Sequence, residues 1–123
     1  MKRTSEAGFT LISVIMAVVI LSIGIMALGR SQAMLVRAQA TSASRDVALG
    51  IARNYVEEVR SRTTQPASEG ATAVDETGTA SAGGHYSRSL TVSDLGDGLY
   101  QAICSVTYPR GQQPVQIITL IYR

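Results

Sequence analysis

Three kinds of side chain in this 123-residue sequence could do chemistry by type: a thiol, an imidazole and two closely spaced carboxylates. Cys104 is the only cysteine, which excludes an intrachain disulfide and a cysteine-based metal site within these residues. A lone thiol could join two chains in an oxidising compartment. Cys104, however, alternates with Ala102 and Val106 and reads as a buried small hydrophobe. His85 is the only histidine, so no second imidazole can share a metal with it. It reads as an exposed residue opening a strand. Asp94 and Asp97 could offer oxygens to calcium, but their spacing does not fit an EF-hand loop, and Asp97-Gly98 is a common turn pair. No phosphate-binding glycine loop, nucleophile elbow or paired-carboxylate acid/base site stands in the sequence. These residues point to no enzyme, no metal and no cofactor.

Charge excludes a further class. The formal net charge is +2, and the basic residues are scattered, six arginines (Arg30, Arg37, Arg45, Arg53, Arg60 and Arg62) being spread along one helix. Scattered arginines on a helix make a solvated face rather than a nucleic-acid footprint, so direct nucleic-acid binding is not expected.

The elements that must position these residues begin with a long helix. No charged residue occurs between Glu6 and Arg30, and the apolar run reaches Leu28. About twenty such residues span the hydrocarbon core as a helix. Lys2 and Arg3 precede the run and place the N-terminus in the cytoplasm; the remainder then lies in the periplasm of a bacterium with two membranes. The leader is not a conventional secretory signal, because no Ala-x-Ala-like site closes it.

Beyond Leu28 the helical period persists through Val36, Ala40, Ala43, Val47, Ile51, Tyr55 and Val59. No proline interrupts before Pro66. One continuous helix from about Phe9 to about Arg62 follows, roughly 80 Å long at about 1.5 Å per residue. Its first half, residues 9–30, suits a membrane or filament core; its second, residues 31–62, is amphipathic. Gly24 and Gly29 are its soft spots, each costing roughly 1 kcal/mol relative to alanine.

Residues 63–84 are small and polar, with Val74 the one sizeable apolar group, and read as a flexible surface loop. Three strands are expected after it: His85–Ser93, Leu99–Tyr108 and Val115–Tyr122. The joining loops, residues 94–98 and 109–114, are of hairpin scale, so the simplest topology is an antiparallel meander over residues 85–123. One face would pack on the helix around Val47, Ile51, Tyr55 and Val59. The expected class is α+β: one long N-terminal helix on a small three-stranded antiparallel sheet. A domain this small, without a disulfide staple, must be held by that packing.

A basic leader, then Gly8-Phe9-Thr10-Leu11-Ile12, then a membrane-length apolar helix resembles the N-terminus of type IV prepilins and type II secretion pseudopilins. Leu21 to Leu28 and Ala48 to Arg62 look most like PilV-like minor pilins, with I-type minor pseudopilins next. The resemblance implies a pilin-like fold and cleavage after Gly8 by the prepilin peptidase, removing a leader of residues 1–8. It implies N-methylation of the new N-terminus at Phe9. The implied partners are other pilins through the N-terminal helix, the prepilin peptidase, the inner-membrane assembly platform and membrane lipid. The implied role is a low-copy minor subunit of a type IV pilus, in an assembly-initiation or tip complex. An I-type minor pseudopilin of a type II secretion system is the alternative, and a signal-anchored periplasmic binding module without a filament is a further one.

Ser13 departs from the pattern, since the family normally carries a glutamate five residues after the glycine. That glutamate is thought to pair with the amine of a neighbouring subunit; a serine can only bond back to a carbonyl about four residues earlier. Either the subunit sits at a filament tip where one neighbour is missing, or a low-copy subunit tolerates the loss.

Overall fold

The computed structural model describes residues 4–123, with side chains from residue 10 onward. A single helix, α1 (Thr4–Ser61), is followed by four strands: β1 (Glu69–Val74), β2 (Tyr86–Gly96), β3 (Leu99–Thr107) and β4 (Val115–Tyr122). All neighbouring strands pair antiparallel in the order β1-β2-β3-β4. The α+β class, the long helix and the meander are as expected. The chain divides into two compact units, Met1–Gln39 and Ala40–Arg123.

In the second unit, α1 buries a stripe formed by Ala48, Ile51, Ala52, Tyr55, Val56 and Val59. These recur at three- and four-residue steps, the period that keeps side chains on one helix face. Against them lie Val74, Tyr86, Leu90, Ala102, Cys104, Val106 and Ile121, the inward residues of all four strands. Cys104 is fully buried between its neighbours and behaves as the small hydrophobe its alternation suggested. The helix packs on the sheet around Val47, Ile51, Tyr55 and Val59 as expected, while Val36, earlier in the same period, is 63% exposed.

Two corrections concern the segment after the helix. The sheet has four strands, not three, because β1 forms within residues 63–84, where a loop was expected. Its residues lack strand-like bulk, but an edge strand needs a backbone ladder more than paired side chains. β1 obtains that ladder from β2, with a register irregularity between Glu69 and Thr72. The tight turn after it is built on Asp75. Its Oδ1 accepts from the backbone N–H groups of Thr77 and Thr79 at 2.9 and 3.0 Å, and Gly78 supplies the left-handed φ of 86°. The second correction is small: β2 starts at Tyr86, so His85 lies just before the strand, exposed, rather than opening it.

The β2–β3 turn explains Asp94 and Asp97. Asp94 Oδ1 accepts from Gly96 N–H at 2.8 Å, and Gly96, Asp97 and Gly98 all carry positive φ. Both aspartates are therefore used by the turn. Gly98 has a second duty: its carbonyl accepts from Arg123 N–H at 2.8 Å, and a Cβ there would collide with the Arg123 carbonyl. The guanidinium of Arg123 donates to the carbonyls of Arg60 (2.8 Å) and Arg62, a cation on the open end of α1.

Leu90 is 2% exposed at the centre of this core. Leu90→Ala is expected to destabilise the second unit by about 2–5 kcal/mol. Denaturant unfolding of the full chain, followed by tyrosine fluorescence, measures it.

Candidate functional site

The expected chemistry sat at the N-terminus. Gly8 and Phe9 lie within α1, but they precede residue 10 and fall outside the residues whose side chains are described, as does the whole 1–8 leader. Ser13 is exposed on α1 between Ile12 and Val14. The back-bonding geometry expected of a helical serine is seen at Ser22, whose Oγ donates to the Val18 carbonyl at 2.7 Å. The helix runs unbroken through Gly24 and Gly29.

What dominates this region is its surface. From Leu11 to Val36 every large apolar side chain is between 48% and 74% exposed, on all sides of the helix. A surface helix of a water-soluble domain shows one apolar stripe; a helix apolar all round belongs in lipid or inside a bundle. The Thr10–Ser61 part of α1 contains a stretch long and apolar enough to cross a membrane by length and composition.

Residues 3–29 match the family model of the prokaryotic N-terminal methylation motif. That motif indicates a prepilin-processed protein of the type IV pilin or pseudopilin kind, with interactions of the kind such proteins make with other pilins and with a prepilin peptidase. It fits a chain anchored in a membrane by its N-terminal helix. The match ends at residue 29, so it speaks for the apolar helix and not for the sheet. No curated protein and no solved structure matches the chain.

A second constellation escaped the sequence reading. Glu69 of β1 accepts from the Tyr55 hydroxyl and from Arg62 Nη1 at 2.6 Å. Arg62 Nη2 also reaches Glu58 Oε1 at 2.9 Å. The Arg88 guanidinium lies 3.7 Å from the centre of the Tyr55 ring, and its Nη1 donates to the Gly78 carbonyl at 3.1 Å. Four side chains from α1, β1, β2 and the segment between helix and sheet thus meet at one corner. Among the described residues no three His, Cys, Asp or Glu side chains group as metal ligands. The cluster fastens the helix end to the first strand. Residues 69–74 carry no strand-like hydrophobic pattern, so nothing in the sequence brings Glu69 to Tyr55.

The hydrogen bond from Tyr55, then that from Arg62, holds the Glu69 carboxyl below its ordinary range; hydrogen bonds to Glu58 and Glu69 hold Arg62 charged. A depressed native pKa means stability that is present in full above the ordinary carboxylate value. It is lost as the pH falls below that value and through the native one. Acid titration of stability should therefore show a loss below about pH 4.5. Glu69→Gln should be less stable at neutral pH and lack that component of the acid slope. Thermal unfolding across pH 3–7 measures both.

Proposed function

We propose that the chain is a minor structural subunit of a type IV pilus, incorporated at low copy in an assembly-initiation or tip complex. The observation that carries this reading is the methylation motif at residues 3–29 laid over a helix whose large apolar side chains are exposed on every side from Leu11 to Leu28. In this reading the prepilin peptidase cuts after Gly8, and Phe9 becomes the N-methylated terminus. Residues 9–30 hold the subunit in the inner membrane in a single pass, with residues 31–123 in the periplasm. An assembly platform then draws the helix out of the bilayer and into contact with the helices of other pilins.

The physics of that transfer favours such a helix. Apolar contacts surround it in lipid and again in a helix bundle, so moving between them need expose little apolar surface to water. Leader removal is needed because Lys2 and Arg3 at the head of the helix would resist being drawn through hydrocarbon. Ser13 stands where the carboxylate that pairs with a neighbouring amine is usual. The loss of that pair suits a subunit present in few copies, or one at a tip.

The mature N-terminus is the test. Mass spectrometry of protein purified from a cell with its own prepilin peptidase should show N-methyl-Phe9, with residues 1–8 gone. An intact start at Met1 would sink the prepilin reading and leave a signal-anchored periplasmic domain. Co-purified partners locate the subunit: other minor pilins support the pilus, whereas secretion components would assign it to an I-type minor pseudopilin.

A further inference from the structure

Residues 63–73 run between two fixed points. At one end Arg123 holds the terminus of α1, its guanidinium donating to the carbonyls of Arg60 at 2.8 Å and of Arg62. At the other, Val74 is fully buried in the core, and Ala80 of the returning chain bridges to it. Between these points no side chain is buried; only Pro66, Glu69 and Ala73 are half-buried. No residue of the segment belongs to the apolar core. Local opening is easiest where few buried contacts are lost and the backbone bonds lie at the surface.

Polar ties hold the segment instead. Its ladder on β2 is interrupted: Glu69 pairs with Leu90, the register breaks, and pairing resumes at Thr72 with Arg88. Ser68 Oγ accepts from Val92 N–H at 2.9 Å, and Gln65 donates to the Tyr100 hydroxyl. Glu69 is the only charged side chain in residues 63–73. Its carboxylate accepts from the Tyr55 hydroxyl and from Arg62 Nη1 at 2.6 Å. Hydrogen bonds to a charged group are about twice as strong as neutral ones, so this is the strongest side-chain tie of the segment.

We propose that residues 63–73 form a strap latched by the Glu69 carboxylate, and that loss of its charge opens the strap while α1 and β2–β4 stay packed. The groups facing Glu69 are Tyr55 of α1, Arg62 at the helix end and Arg88 of β2, with Glu58 on the far side of Arg62. Burial, then the Glu69 carboxylate, pushes the Tyr55 phenol up to about 12, so it donates throughout the acid and neutral range. The bond from Tyr55, then that from Arg62, holds the Glu69 carboxyl below its ordinary range. The latch is therefore closed above the ordinary carboxylate value and opens as the pH falls through the lower native one. Glu58 belongs to α1 itself, so losing its charge leaves the strap's own bonds in place. Opening detaches β1 from β2 and frees the Val92 N–H, while Arg123 and Val74 keep both ends anchored. The strap lies wholly within the second unit and does not depend on the prepilin reading.

Amide hydrogen exchange of the full chain in detergent micelles tests this, each rate being corrected for the intrinsic rate at that pH. At pH 7 the amides of residues 69–73 and of Val92 should exchange faster than those of β3 and β4. Their rates should barely respond to urea below the unfolding transition, because a local opening exposes little surface, whereas the β3 and β4 rates should rise with urea. Glu69→Gln, which resembles the protonated carboxyl, should speed the strap and Val92 amides about tenfold at pH 7 without giving them urea dependence. The native chain at pH 3 should show the same gain, and Glu69→Gln no further gain on acidification. Glu58→Gln should leave these amides at the native rate at pH 7. Strap amides as protected and as urea-dependent as those of β3 and β4 overturn the proposal, for then the segment opens only with the whole fold. So does a native rate in Glu69→Gln, or an acid gain that persists in that variant.

Discussion

The constraint on which everything else rests is that α1 meets two environments along one helix. From Leu11 to Val36 its apolar side chains point in every direction. From Val47 onward they line one face, leaving Arg53, Glu57, Glu58 and Arg60 exposed. The first pattern is stable only where the surroundings are apolar on all sides; the second needs a cover on one side and water on the other. The sheet is that cover. Its inward residues are mostly small or β-branched, as a core with one phenylalanine and no tryptophan in the whole chain requires, and Tyr55 and Tyr86 supply the bulk.

Apolar packing alone does not fix where the first strand leaves the helix. That position is set by the polar corner, where Tyr55, Arg62, Glu69 and Arg88 satisfy one another at part-buried positions. Surface ion pairs are worth little in isolation. Here the carboxylate has two donors and the phenol ring carries a guanidinium on its face, so the group acts as a network. The Asp75 turn stands beside it, and Gly84 allows the returning chain to pass where a Cβ would strike the Val74 backbone.

Most of this architecture was legible in the sequence because it rests on periodicity. The charge-free run and the three- to four-residue spacing fix α1, and alternation at Tyr86–Val92 and Ala102–Val106 fixes β2 and β3 with the correct faces inward. Leader cleavage and methylation were legible as a resemblance, and the methylation motif supports the prepilin part of it. β1 was not legible, since a half-exposed edge strand of Gly70, Ala71, Thr72 and Ala73 leaves no hydrophobic pattern. Thr72-Ala73-Val74 before Asp75-Glu76-Thr77-Gly78 was the available signal, a β-prone triplet ahead of a turn. With β1 went Glu69 and the whole polar corner, which depends on tertiary placement.

Arg123 gives the second unit a particular order of completion. Its side chain closes the end of α1 on carbonyls 63 and 61 residues earlier in the chain, while its backbone N–H meets Gly98. The contacts between successive strands are local and can form as each hairpin emerges. The helix end, by contrast, stays uncapped until the chain beyond β4 is in place. Loop-closure entropy for such a contact is recovered only at that point. The helix terminus is therefore sealed last, after the strands that cover the helix have paired.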